Sequence, residues 1–404
     1  MSLADDAKLL LIPTGYKTSK VYTVFPTDGD GDFTYTRSGD ASRVNPGGLI
    51  ETVGTNIPRI DHTGGGCPTL LLEPQRTNLH TYSESSTSKT TQNVTLTDNS
   101  ETSPDGEFNA IKVTDNTVNF RHRFWANNVS VTSGTQYTIS FYVKKNSPNR
   151  YIYINAGILG TNGSFSLDDQ STTGSVQVFE TLNNEWYRIG LTGTAPTTQT
   201  TIWFLQMQLG TTDANYIGDG SSFYVWGLQF EQGSYPSSYI KTTTGQVTRQ
   251  KDECDQSGDA NLFNSVEGVI YAEFKNHTEL GSFRQINLRL NSSNRIYISK
   301  RSDNGRLEFR MENPLGSRNF SFVQNTSNDY LKVAFRYGPN NFAVFINGVN
   351  KNVSSSGSTF SQGTLTTFEL KSPFSNQNFY GKIKDLRVYN EPLTNQQLIE
   401  LTTL

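Results

Sequence analysis

Sulfur, histidine and charge are all scarce in this chain. Of 404 residues, two are Cys, three Met and four His. Cys67 and Cys254 stand 187 positions apart and form no CxxC pair, so a Cys-rich zinc site is excluded and disulfide stapling is not expected. His62, His80, His122 and His277 make no HExxH motif, so no metal or general-base role is expected of them. Charged residues make up 18%, below the ~25% of an average globular chain. Lys+Arg (34) against Asp+Glu (37) leave a net charge of −3. That balance argues against a nucleic-acid partner gripped through a basic surface. No apolar run approaches the roughly 18 residues of a transmembrane helix, so no membrane insertion is expected. The opening stretch has an apolar run only from Leu9 to Ile12, behind Asp5 and Asp6, which does not resemble a signal peptide. No GxSxG nucleophile elbow occurs.

What the chain does have is aromatic and small polar residues: 24 Phe, 19 Tyr and 34 Gly, amid abundant Ser, Thr and Asn. Disordered chains are poor in aromatics, so this one is expected to fold, as short strands with many turns. The fold class expected is all-β: tandem antiparallel β-sandwiches of jelly-roll type after an irregular N-terminal segment, with one short C-terminal helix.

Three sections are expected. Residues 1–80 are rich in Gly, Pro and Asp, with short strands at Val21–Phe25, Gly48–Thr52 and Thr69–Glu73. Residues 81–245 alternate clearly, as in TQYTISFYVKK, where Tyr137, Ile139, Phe141 and Val143 share a face. Asn162-Gly163 reads there as a tight hairpin turn. Residues 246–404 read as eight strands, from GVIYAEFKN to KIKDLRVYN, with hairpin turns at Asn304-Gly305 and Asn347-Gly348. A closing helix is expected with Thr394 as N-cap, Gln397 as its reciprocal partner and Leu393 with Leu398 as a staple. The polar stretch TTGQVTRQKDECDQSGDAN reads as a linker.

Several clusters bear on chemistry. Asp28, Asp30 and Asp32 open like a calcium loop, but position twelve is Gly39 where an EF-hand needs a bidentate Glu, so an acidic turn is expected, with a non-EF calcium site at these residues as the alternative. Arg43, Arg59 and Arg76, with Glu51, Asp61 and Glu73 nearby, read as a salt-bridge scaffold or as a docking surface. Glu308 and Glu312 share a strand face with Arg306 and Arg310, a pattern of ion pairs rather than a catalytic pair. No ExDxxE pattern of a jelly-roll glycosidase occurs, so no catalytic residues are assigned. Sugar binding needs aromatic plates beside amides. Period-two alternation puts Tyr151, Tyr153 and Asn155 on one face against Ile152 and Ile154, and Gln206 and Gln208 against Trp203, Leu205, Met207 and Leu209. These five residues, with Trp125 as core or plate, are the candidate glycan contacts; the alternative is a polar solvent face.

Four stretches resemble phage virion fibre and tail proteins. TYTRSGDASRVNPGGLIETV and NIPRIDHTGGGCPTLLLEPQRTNL carry the most specific of them. VWGLQFEQGSYPSSYIKT resembles the closing strand of carbohydrate-binding-module-like jelly rolls. FAVFINGV with GKIKDLRVYNEPLTNQQLIEL resembles the concanavalin A-like, laminin G-like lectin fold. The resemblance implies a non-catalytic phage adhesin on the exterior of the virion. It further implies attachment to other virion proteins through the N-terminal segment, host-surface polysaccharide as ligand and a homotrimer. No cofactor is expected, although calcium is known in concanavalin-like folds. The alternatives are a decoration protein of head or tail and, behind it, a polysaccharide depolymerase.

Overall fold

The computed structural model describes residues 2–126, 128–182, 185–212, 214–276, 283–301, 305–314, 316–323, 330–374 and 377–404. His277 and Asn304 lie outside them. The described chain forms two antiparallel sandwiches, with one α-helix, Asn395–Thr402, among the described residues.

The middle sandwich pairs a six-stranded sheet with a five-stranded one. The first runs in the order Val94–Thr97, Ile111–Asp115, Ser222–Gln232, Gln136–Lys145, Trp186–Thr194 and Val176–Thr181. The second runs Thr90–Gln92, His122–Trp125, Phe204–Gln208, Tyr151–Ala156 and Thr161–Ser166. Between them lie Ile139, Phe141, Val143, Ile152, Ile154, Trp203, Leu205 and Met207, each 1% exposed or less. Alternation therefore sets which side chains each sheet turns outward. Asn162-Gly163 is not a turn: both residues sit inside Thr161–Ser166. A Cβ on Gly163 would stand 2.1 Å from the Thr173 carbonyl oxygen, so glycine serves close backbone approach there.

The C-terminal sandwich faces a five-stranded sheet, from Arg318–Val323 to Thr367–Glu369, with a larger sheet built on Gly268–Asn276 and Gly381–Tyr389. Arg318–Val323 and Val349–Ser354 are strands beyond the eight expected. At Asn347-Gly348 both residues have positive φ, 48° and 75°, as a type I′ turn requires. Thr394 and Gln397 form a capping box, and Leu393 and Leu398 are buried together.

The first 80 residues are woven into this sandwich. Leu9–Leu11 and Thr69–Leu72 both pair with Gly381–Tyr389, and Ile60–Asp61 extends the edge. Leu9, Leu11, Val21, Phe33, Tyr35, Leu70 and Leu72 join its core. Around Val21 the strand is only Lys20–Val21, and Phe25 makes a separate bridge to Leu10.

The expected linker is also structured, which corrects that reading. Val247–Arg249 pairs with Arg76–Asn78, and Glu253–Asp255 pairs with Phe33–Thr36. Its Asp252, 1% exposed, accepts from Arg59 and from the Tyr35 hydroxyl at 2.5 Å. Arg59 also meets Glu73 at 2.5 Å, and Arg249 meets Glu73 at 3.2 Å. Burial works against the Arg59 charge, but Asp252 and Glu73 outweigh it and hold its pKa above the usual range. Arg43 pairs with Glu51 at 2.8 Å and Arg76 with Glu231 at 3.6 Å, while Asp61 pairs with Lys382 at 2.7 Å. The three spaced arginines are thus engaged within the chain.

Candidate functional site

The outward face of the five-stranded sheet in the middle sandwich can be assembled row by row from its register. Trp125 stands beside Phe204, and Phe204 beside Asn155, with Thr90 outside Trp125. In the next row Gln92, Arg123, Gln206 and Tyr153 are neighbours. In the third, Gln208 lies beside Tyr151. Each strand reaches this arrangement by the same means: Phe124, Leu205, Ile152 and Ile154 go to the core, so their sequence neighbours turn out.

The first two rows make an aromatic platform. Trp125 and Phe204 have ring centroids 6.3 Å apart, and Tyr153 lies 6.4 Å from Phe204. The Arg123 guanidinium sits 4.5 Å from the centre of the Trp125 ring and 5.0 Å from that of Phe204. Its Nε donates to Gln92 Oε1 at 2.8 Å, which fixes the fork against the rings. Desolvation and the neighbouring Arg121 charge lower its pKa from the usual arginine value. Trp125, Phe204, Tyr151, Tyr153, Asn155 and Arg123 are half-buried. Past the sheet edge Trp125 borders an open groove of about 620 Å³, shared with Thr81, Ser88, Thr90, Asn128 and Ile202.

The sequence expectation that Gln206 and Gln208 are exposed is corrected. Both lie on the predicted face, but they are 3% and 4% exposed. Gln206 Nε2 donates to the Ala214 carbonyl at 3.2 Å, and Gln208 Oε1 accepts from Ser164 Oγ at 3.4 Å. A strap of chain folds back over this end of the sheet. Tyr216 on the strap donates to Asp115 at 2.9 Å, and the buried His122 ring lies between the carbonyls of Asn93, at 2.8 Å, and Tyr216, at 3.2 Å. Arg150 closes it with Asp219 at 2.5 Å. Tyr151, beside Gln208, therefore flanks the closed end, whereas Tyr153 and Asn155 reach the open one.

Alternation puts Phe204 on the face of Gln206 and Gln208, but Phe204 was not named as a glycan contact, and Arg123 was not placed on the face at all. The alternation His122-Arg123-Phe124-Trp125 was the available signal, since Phe124 belongs in a core and Arg123 does not.

The other acidic candidates are held in local contacts. Asp32 accepts from the Thr23 N–H at 2.9 Å, and Asp28 accepts from the Asp30 N–H at 3.1 Å. Among the described residues no group of three or more His, Cys, Asp or Glu is placed to hold a metal ion. Glu308 pairs with Arg301 at 3.3 Å, and Glu312 with Arg295 at 2.9 Å. His80 is fully buried beside Trp203, and burial followed by the Lys89 charge pushes its pKa well below the usual value.

Residues 270–399 match the family model of the concanavalin A-like lectin/glucanases superfamily. A search of curated proteins finds no match. Among solved structures, the CBM40 of a Ruminococcus gnavus IT-sialidase is similar at 15% identity, covering 37% of this chain and 93% of that one, with a TM-score of 0.31. Domain 4 of AbnA, a GH43 extracellular arabinanase from Geobacillus stearothermophilus solved with arabinotriose, is similar at 17% identity, 42% and 83% coverage and a TM-score of 0.32. Domains LG4-5 of the mouse laminin α1 chain are similar at 9% identity, 65% and 88% coverage and a TM-score of 0.24. The chain is all-β, and residues 270–399 of its C-terminal sandwich are similar to the concanavalin A-like lectin/glucanases superfamily.

Proposed function

We propose that the protein is a non-catalytic, glycan-binding component of a phage virion exterior, and that the outward sheet face of the middle sandwich holds the sugar. The observation that carries this reading is the Trp125–Phe204–Tyr153 platform around Arg123, open to solvent and continuous with a groove of about 620 Å³. Aromatic rings accept the apolar face of a pyranose, and Arg123, Gln92, Asn155 and Asn128 offer donors and acceptors to its hydroxyls. The residues named on this face include no carboxylate, whereas glycoside hydrolysis uses two. That supports binding without cleavage. The phage context rests on the fibre and tail resemblance of the first 80 residues and the two jelly rolls.

A binding face of a few rings is weak by itself, so a homotrimer is part of the proposal: three linked sites raise avidity without new contacts. No calcium is required by this face. A glycan array with the full chain should show retention of surface polysaccharides, and incubation with the retained polysaccharide should release no new reducing ends. Release of oligosaccharides would replace the binding reading with a depolymerase. Absence of retention on the array would remove the glycan ligand.

A further inference from the structure

A second groove opens at the end of the middle sandwich, where Arg76–Asn78 passes the paired ends of Ser222–Gln232 and Gln136–Lys145. Its volume is about 680 Å³, within the ~300–1,000 Å³ range of ligand pockets.

Two stretches of chain line both this groove and the one beside Trp125. Thr77 and Leu79 line the second groove, and Thr81 lines the first. Ser130 lines the second, and Asn128 lines the first. These positions are two apart, and burial alternates along both stretches. Asn78 and His80 are buried while Thr77, Leu79 and Thr81 are half-buried. Val129 and Val131 are buried while Asn128 and Ser130 are exposed. Successive outward residues of an extended chain lie ~6.6 Å apart. Each stretch therefore carries its wall from one groove into the next. Residue numbers fall along one wall, from Thr81 to Leu79 to Thr77, and rise along the other, from Asn128 to Ser130. The two grooves are thus neighbours on one track that starts at Trp125.

The wall chemistry selects what the second groove takes. Arg76 is the charged residue on it, and Glu231 at 3.6 Å and the Tyr235 ring at 5.3 Å already meet its charge within the chain. A ligand carboxylate or ammonium therefore finds no unpaired counter-charge on this wall. Gln75, Gln136 and Gln232 also line the groove. A side-chain amide both donates and accepts, as vicinal hydroxyls do.

We infer that the second groove receives the continuation of the glycan held at the Trp125 platform, as uncharged sugar residues of a linear chain bound lengthwise. The inference rests on the platform reading and adds chain length to it. The shared track decides for a sugar chain over an extended peptide, because its other end is the ring platform.

The test is competition for the full chain between the immobilised polysaccharide retained on the array and its own disaccharide, tetrasaccharide and hexasaccharide, cut by partial acid hydrolysis. The hexasaccharide should compete at a concentration roughly tenfold or more below that of the disaccharide, the effect of one or two added hydrogen bonds. Gln75 and Gln232 are exposed, so the double variant Gln75→Ala/Gln232→Ala leaves the core intact. It should remove most of the gain with length. Trp125→Ala should weaken the disaccharide and the hexasaccharide alike. Equal competition by disaccharide and hexasaccharide would overturn the inference and leave the platform reading standing. So would a gain with length that the double variant keeps. Fragment competition that Trp125→Ala leaves unchanged would remove the platform reading, and this inference with it.

Discussion

In the middle sandwich the outward five-stranded face carries Trp125, Phe204 and Tyr153 around Arg123. In the C-terminal sandwich the corresponding sheet carries Arg295, Tyr297, Arg301, Glu308, Arg310 and Glu312. The two faces share a device: Arg123 lies 4.5 Å over Trp125, and Arg295 lies 4.3 Å over Tyr297. They differ in what else holds the guanidinium. Arg295 also binds Glu312 at 2.9 Å, Arg301 binds Glu308 at 3.3 Å and Arg310 binds Glu312 at 3.4 Å. That face satisfies its own charges. The Arg123 fork is steadied by a neutral amide and by rings, with no carboxylate paired to it among the described contacts. Similar architecture thus leaves one face ion-paired and the other not, so the proposed binding rests on the side-chain rows and not on the fold.

The comparison assumes that one frame supports both sheets, and the largest expected effect comes from breaking that frame. Arg59→Leu leaves Glu73 and Asp252 buried without their shared cation. It should cost about 3–5 kcal/mol, read as a lower urea midpoint, with loss of binding following only from unfolding. A loss below about 1 kcal/mol would mean that the cluster is not the joint between the sections.

Next comes a contrast between the faces themselves. Trp125→Ala should weaken glycan binding by about 0.5–1.5 kcal/mol per monomer site, by calorimetric titration with a glycan retained on the array. Arg295→Ala, on the ion-paired face, should leave that affinity unchanged. Equal losses in the two variants would erase the distinction.

A pH effect sharpens the frame further. Burial opposes the Asp61 charge, but Lys382 at 2.7 Å overcomes it and lowers the Asp61 pKa. Likewise Asp61 raises that of Lys382 against its burial. Asp61 is therefore expected to contribute stability above its unfolded pKa near ~3.9, and Lys382 below its unfolded value near ~10.4. Asp61 loses that contribution as pH falls through its lowered pKa, and Lys382 loses its own as pH rises through its raised one. Asp61→Asn should flatten the acid limb of stability against pH, and an unchanged limb would count against the pair.

The smallest effect is expected on the closed face. Arg310→Gln, at the exposed end of the Glu312 pair, should change stability by only ~0.2–1 kcal/mol and less in high salt, as followed by thermal melting at two ionic strengths.

Much of the open face was legible in the sequence because it depends on short-range alternation. Ile152 and Ile154 against Tyr151, Tyr153 and Asn155 is a period-two pattern within six residues. The closing of Gln206 and Gln208 was not legible, because it depends on a strap held by His122, Asp115 and Arg150 from three other parts of the chain. Nor was the meeting of Trp125 with Phe204, whose register links strands far apart in sequence. The same limit explains Asp252: within a polar stretch it looks like linker, and only Arg59, 193 positions earlier, makes it a buried anchor.

The central claim is that the open face binds glycan, and host-cell adsorption of Tyr153→Ala against wild type tests it most directly, with thermal melting as control. Tyr153 is half-buried beside Phe204 and outside the core cluster, so its removal should change stability by less than about 0.5 kcal/mol. The affinity lost per site should be on the order of 1 kcal/mol, and if the proposed trimer engages three sites together, adsorption should fall by much more than that single-site loss. Reduced adsorption at unchanged melting is the predicted result. Unchanged adsorption at unchanged melting would contradict the account and make this face a solvated surface.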